Sequence, residues 1–129
     1  MTIRVFIVED QKHLQGLVAD LLKSLGDFTV AGSATTEAEA NLWLDEHPGA
    51  WDLAVVDLVL DQGTGMGVIP KARKHASDAT IVVFSDYASP GIEAHCRKLG
   101  ADGVVSKGDT RAFIDFCSQL LDASNAPQL

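Results

Sequence analysis

Hydrophobic residues recur along this chain at two different spacings. Ile3-Arg4-Val5-Phe6-Ile7-Val8, Leu53-Ala54-Val55-Val56 and Ile81-Val82-Val83-Phe84 are short, nearly continuous apolar runs bounded by charged or polar residues. β-branched runs of this length suit strands covered on both faces of a parallel sheet. Residues 29–33 and 103–106 form weaker, more polar runs, as expected of edge strands. Between the runs the spacing becomes helical. Leu14, Leu17, Val18, Leu21, Leu22 and Leu25 fall at i, i+3, i+4, i+7, i+8 and i+11 and stop before Gly26, which predicts an amphipathic helix. Thr36 followed by Glu39 predicts a capped helix start, and Pro48-Gly49 its end. A third helix is expected from about Gly67 to His75. A fourth, entered through Ser89-Pro90, would bury Ile92, Cys96 and Leu99 and end at Gly100. A fifth, capped by Asp109 or Thr110, would bury Phe113, Ile114, Cys117, Leu120 and Leu121.

Five strand–helix units in succession predict a doubly wound α/β domain, with parallel strands, right-handed crossovers and helices on both faces. In such a sheet ligands bind beyond the carboxyl ends of the strands. A length of 129 residues fits one domain. Residues 1–122 are expected to form it, with the polar, proline-containing residues 123–129 as a flexible tail or the start of a linker.

Composition narrows the function classes. The net charge of −8 leaves no basic stripe for a nucleic-acid backbone. The first apolar run is cut by Glu9-Asp10, so no membrane span or secretion signal is expected. Cys96 and Cys117 are too few and too far apart for a disulfide scaffold, which points to a reducing, cytoplasmic setting.

The predicted strand ends put Glu9 and Asp10 after the first strand and Asp57 after the third. Ser85 follows the fourth and Lys107 the fifth. Singly, each has a plain structural explanation, such as a helix cap for Asp10 or a solvated surface lysine for Lys107. Their shared position at one rim carries the weight. Two carboxylates about 5 Å apart repel by roughly 3 kcal/mol at an effective dielectric near 20, a cost that a cation or a raised pKa must relieve. A hard divalent ion such as Mg²⁺ suits an all-oxygen set. His13, His47, His75 and His95 are scattered and suggest no softer metal site.

The motifs Val8-Glu9-Asp10, Asp57-Leu58-Val59-Leu60 with Gly65, Phe84-Ser85, and Gly100-Ala101-Asp102-Gly103 before Lys107 occur in order along the whole chain. Together they resemble the receiver domain of two-component response regulators. The resemblance implies a flavodoxin-like five-stranded sheet of order 2-1-3-4-5 with five helices. It implies that Asp57 accepts a phosphoryl group from a histidine kinase or phosphotransfer protein. Mg²⁺ would be bound by Asp10, Asp57 and the backbone carbonyl of Val59, with Glu9 acting directly or through water. Ser85 would hydrogen-bond the phosphoryl group, and Lys107 would pair with Asp57 or a phosphoryl oxygen. Output would pass to a downstream protein or to a domain outside this chain, such as a LuxR-type helix-turn-helix. The usual output face is the fourth helix, fifth strand and fifth helix.

Four positions depart from the family pattern. Val104 stands where an aromatic switch residue is usual, Gly108 where proline follows the lysine, Asp61 where a loop proline is common, and Asp86 where a small residue is common. Two other function classes compete with the phosphorylated switch. One is a pseudo-receiver that binds partners constitutively; the other is a flavodoxin-like small-ligand binder, in which an FMN phosphate would meet three carboxylates. The segment Gly63-Thr64-Gly65-Met66-Gly67 has neither a dinucleotide nor a Walker pattern and reads as a flexible loop beside Asp57. Trp43 and Trp51 read as packing residues, and residues 71–75 as a solvated basic face.

Overall fold

In the computed structural model, which describes residues 1–125, strands and helices alternate along the chain. β1 (Ile3–Val8), β2 (Phe28–Ala34), β3 (Leu53–Val56), β4 (Thr80–Ser85) and β5 (Gly103–Ser106) form one sheet in the order β2-β1-β3-β4-β5, with every neighbouring pair parallel. The helices are α1 (Lys12–Leu25), α2 (Glu37–Glu46), α3 (Ile69–His75), α4 (Pro90–Leu99) and α5 (Thr110–Asn125). The fold class and strand order are those expected, and the two weak runs are the sheet edges.

The continuous apolar runs are explained by two cores, one on each face. Because successive strand residues point to opposite faces, Ile3, Val5 and Ile7 of β1 join Leu22 of α1 and Phe113 and Cys117 of α5. Phe6 and Val8 face the other way, with Ala40 and Leu44 of α2, Ile69 and Ala72 of α3 and Cys96 of α4. Trp43 lies flat over Phe6 (ring centroids 4.1 Å apart, planes at 7°), and His47 stacks on its other side at 4.4 Å. Trp51 is buried in the same core. No helix among the described residues is long and apolar enough to cross a membrane.

The local signals hold with three corrections. Thr36 Oγ1 accepts the Glu39 N–H at 3.1 Å and Ser89 Oγ accepts the Ile92 N–H at 3.3 Å, so α2 and α4 start where expected. The third helix begins at Ile69, not Gly67, because Gly65–Gly67 forms a separate 3-10 turn. Capped by Asp109 Oδ1 on the Ala112 N–H, α5 runs to Asn125, three residues past the expected boundary. Nothing between Thr110 and Asn125 breaks a helix, and the polar residues Asp122 and Asn125 sit on its solvent side. Residues 126–129 of the expected tail lie outside the described residues.

Arg73 is the third correction, since it is not part of a solvated face. Its Nε and Nη2 donate to Gly100 O at 3.0 and 2.8 Å, and its Nη1 to Ala79 O at 2.7 Å. Nη2 also reaches Asp102 Oδ2 at 2.7 Å, the same oxygen that accepts the Ile81 N–H. The guanidinium thereby ties α3 to the loop before β4, to the carbonyl of Gly100 at the end of α4 and to Asp102 before β5, giving that helix-terminal carbonyl a partner.

Candidate functional site

Strand register builds the rim. Val8 pairs with Val56, so Glu9 and Asp57 leave β1 and β3 at the same level, and the Asp57 N–H donates to Val8 O at 2.9 Å. Ser85 pairs with Ser106, and the Lys107 N–H donates to Ser85 O at 3.1 Å. The sheet therefore delivers Glu9, Asp10, Asp57, Ser85 and Lys107 to one edge. Carboxylate oxygens of Glu9, Asp10 and Asp57 all lie within 4.8 Å of one another. Lys107 Nζ donates to Asp57 Oδ2 at 2.7 Å and to Glu9 Oε1 at 2.6 Å.

Burial sets the electrostatics. The side chains of Glu9 and Asp57 are 5% and 8% exposed, and that of Lys107 17%. Burial, together with the neighbouring Asp10 carboxylate, pushes Glu9 above the usual carboxylate range despite the pull of Lys107 and of the Gln11 N–H. Burial disfavours the Lys107 ammonium too, but its hydrogen bonds to Asp57 and Glu9 outweigh that and hold its pKa above the ordinary lysine value. One ammonium thus serves a cluster of three carboxyl groups. The remaining negative charge and the all-oxygen donors fit a hard divalent cation.

Asp10 is not the cap of α1. That helix starts after Gln11, whose N–H is accepted by Glu9 Oε2 at 3.1 Å, with no capping side chain at Gln11. Val59, two residues after Asp57, is 49% exposed, with its N–H directed at Asp57 Oδ1 at 3.4 Å. Ser85 is fully buried and its Oγ accepts the Tyr87 N–H at 3.4 Å, while the Tyr87 side chain is exposed. Gly65 packs so close to the Asp57 carbonyl that any Cβ there would overlap it. Beside Lys107 a cleft of about 290 Å³ opens between α1 and α5, lined by Leu14, Leu17, Val18, Leu21, Phe84 and Thr110. Leu17, expected in the core stripe, is half exposed at this cleft. The loop after Asp57 is in contact with α2. Glu37 of α2 accepts the Thr64 N–H at 2.8 Å, an attachment with no signal in the sequence.

A family model for the response regulator receiver domain matches residues 5–115. The chain belongs to that family. Among its relatives, this receiver is 31% identical over 106 residues to the transcriptional regulatory protein YvfU of Bacillus subtilis, covering 81% of the receiver and 52% of YvfU. The chain spans about half the length of the first curated relatives it matches. A LuxR-family response regulator from Aurantimonas superposes with a TM-score of 0.82 at 22% identity, covering 96% of this receiver and 87% of that chain. A CheX–CheY–BeF3–Mg complex from Borrelia burgdorferi gives 0.82 at 18% identity, covering 92% and 88%. At those identities the likeness concerns the fold. Receivers of two-component systems are signalling switches, and Mg²⁺ and aspartyl phosphate are typical of the family.

Proposed function

We propose that Asp57 is the phospho-acceptor of this receiver, charged from a phosphohistidine on a histidine kinase or phosphotransfer protein. The observation that carries this is the Asp57 carboxylate at the strand edge, held at 2.7 Å by Lys107 and clustered with Glu9 and Asp10. An Asp57 oxygen attacks phosphorus, the phosphorus–nitrogen bond breaks, and the departing imidazole takes up a proton. The transition state of such a transfer is loose, so positioning and charge neutralisation supply most of the catalysis. Lys107 exchanges its contact with Asp57 for a phosphoryl oxygen, and the buried Ser85 hydroxyl donates to another. Asp10, Asp57 and the Val59 carbonyl would hold Mg²⁺, which supplies positive charge against the phosphoryl oxygens. Both Glu9 oxygens already accept protein hydrogen bonds, which favours its acting on the ion through water.

The apolar cleft beside Lys107 offers the phosphodonor a landing surface next to the acceptor. Output passes to a downstream protein or an attached domain, in keeping with transcriptional regulators among relatives that the chain matches over about half their length. The chain is a switch that assists its own phosphorylation and dephosphorylation. Incubation with acetyl phosphate tests the assignment. Wild type should gain a Mg²⁺-dependent, hydroxylamine-labile phosphoryl group, as expected of an acyl phosphate. Absence of label would favour the pseudo-receiver reading, and a hydroxylamine-resistant label would refute the aspartate.

A further inference from the structure

The glycine-rich segment after Asp57 is shaped around a side chain from another element. Glu37, the first residue of α2, donates its N–H to Gln62 O at 3.0 Å, and its Oε1 accepts the Thr64 N–H at 2.8 Å. A Cβ at Gly63 would overlap Glu37 Cβ, and a Cβ at Gly67 would overlap its carboxyl group. Gly63 has φ +83°, so its backbone also favours glycine, whereas Gly67 lies outside the left-handed region. At Gly67 a Cβ would meet the Glu37 carboxyl group, so a side chain there requires that carboxyl to swing out of its seat. The middle glycine, Gly65, is occupied instead by the Asp57 carbonyl. Thus the three alternate glycines seat two acidic residues, one from α2 and one from the end of β3.

The seat connects to the acceptor site through short links. Thr64, which Glu37 holds, bridges antiparallel to Val59, and the Gly65 N–H donates to Leu58 O at 3.0 Å. Val59 in turn directs its N–H at Asp57. We propose that Glu37 is a positioning residue for the acceptor site, clamping the 62–67 loop so that Val59 presents its backbone at the carboxylate cluster. The inference rests on the proposed role of Asp57 and Val59. It concerns how well the site is preassembled, since loss of a group that orients a metal ligand commonly weakens metal binding about tenfold or more.

The test measures Mg²⁺ affinity by amide chemical-shift titration and acetyl phosphate labelling by intact mass, in wild type, Glu37→Ala, Glu37→Gln and Gly67→Ala. Glu37→Ala and Gly67→Ala should bind Mg²⁺ about five- to tenfold more weakly, the scale of one or two lost hydrogen bonds. Their labelling should slow at limiting Mg²⁺ and recover at saturating Mg²⁺. Glu37→Gln keeps an oxygen for the Thr64 N–H and should restore near-wild-type affinity. A purely structural role would lower the melting temperature without moving the Mg²⁺ affinity of the folded fraction. Wild-type affinity in Glu37→Ala, or no rescue in Glu37→Gln, would overturn the proposal. If wild type takes no phosphoryl group, the proposed function fails, and the Mg²⁺ titration still decides the role of Glu37.

Discussion

Lys107 Nζ sits 2.6 Å from Glu9 Oε1, bridging residues at opposite ends of the chain across the sheet rim. The same ammonium holds Asp57 at 2.7 Å. Glu9 therefore anchors the same cation that pairs with the Asp57 carboxylate, the acceptor under the proposed function. Removing that cation leaves two buried carboxylates facing each other and Asp10.

Lys107→Ala is accordingly expected to lower the stability of the metal-free protein by up to about 3 kcal/mol, the scale of a broken buried pair. Mg²⁺ should bind this variant more tightly than wild type, because no ammonium competes for the carboxylates. It should still accept phosphate, more slowly, and lose most of the phosphorylation-dependent amide shifts near Ser85 and Val104. Denaturation with and without Mg²⁺, together with those shifts, checks this. Weaker Mg²⁺ binding in the variant would contradict it.

Asp10→Asn tests the repulsion directly. Asp10 does not cap α1, so its charge is the main thing the substitution removes. The metal-free variant should melt higher than wild type and gain less from Mg²⁺, since binding stabilises by mass action on the folded state. A lower melting temperature without metal would show that Asp10 has a structural role instead.

Acid stability should depend on a pair far from the rim. Arg4 donates to both oxygens of Asp52 at 3.0 Å, and that hydrogen bonding, with the Arg4 charge, holds the Asp52 carboxyl below its ordinary range against the effect of burial. A depressed carboxylate contributes stability that is present above its unfolded pKa and lost as pH falls through the folded one. Asp52→Asn should cost about 1 kcal/mol near neutrality, allowing for solvent screening of the half-exposed Arg4. The difference from wild type should shrink below about pH 3.9. Urea midpoints across that range measure it, and a constant difference would contradict the linkage.

The phosphoryl group should be long-lived. Val59 and Tyr87 stand two positions after the proposed acceptor and after Ser85, where the resemblance to receivers implies they would flank the hydrolytic water, and both are exposed, at 49% and 59%. Val59 offers no group to orient or deprotonate a water, so general-base help is absent from its side. Asp86 nearby would repel hydroxide. Because the Tyr87 ring extends largely into solvent, Val59→Asn should speed hydrolysis more than Tyr87→Ala, by about fivefold for one well-placed hydrogen bond. Decay of the phosphoprotein followed by intact mass decides this. Wild-type decay within seconds, or no acceleration in either variant, would contradict this expectation.

The sheet and the rim were legible because each rests on short-range pattern. Doubly covered strands must be continuously apolar, and the residues that end them fall at the carboxyl edge whatever the loops do. Long-range contacts to backbone groups were not legible. Arg73 meets Gly100 across 27 residues of sequence, and Glu37 meets the Thr64 N–H across the same interval. Backbone acceptors and donors carry no side-chain signature, so an arginine and a glutamate at helix ends look like any solvated charge. The Glu9–Lys107 contact was hidden differently, since both residues were expected at the rim but only Asp57 was expected to hold the lysine.

The intact mass of wild type beside Asp57→Asn, after incubation with acetyl phosphate and Mg²⁺, reads out the identity of the acceptor. Wild type should gain the mass of one phosphoryl group, and Asp57→Asn should gain none while remaining folded. The same mass gain in the folded Asp57→Asn variant would place the phosphoryl group elsewhere and contradict Asp57 as the acceptor.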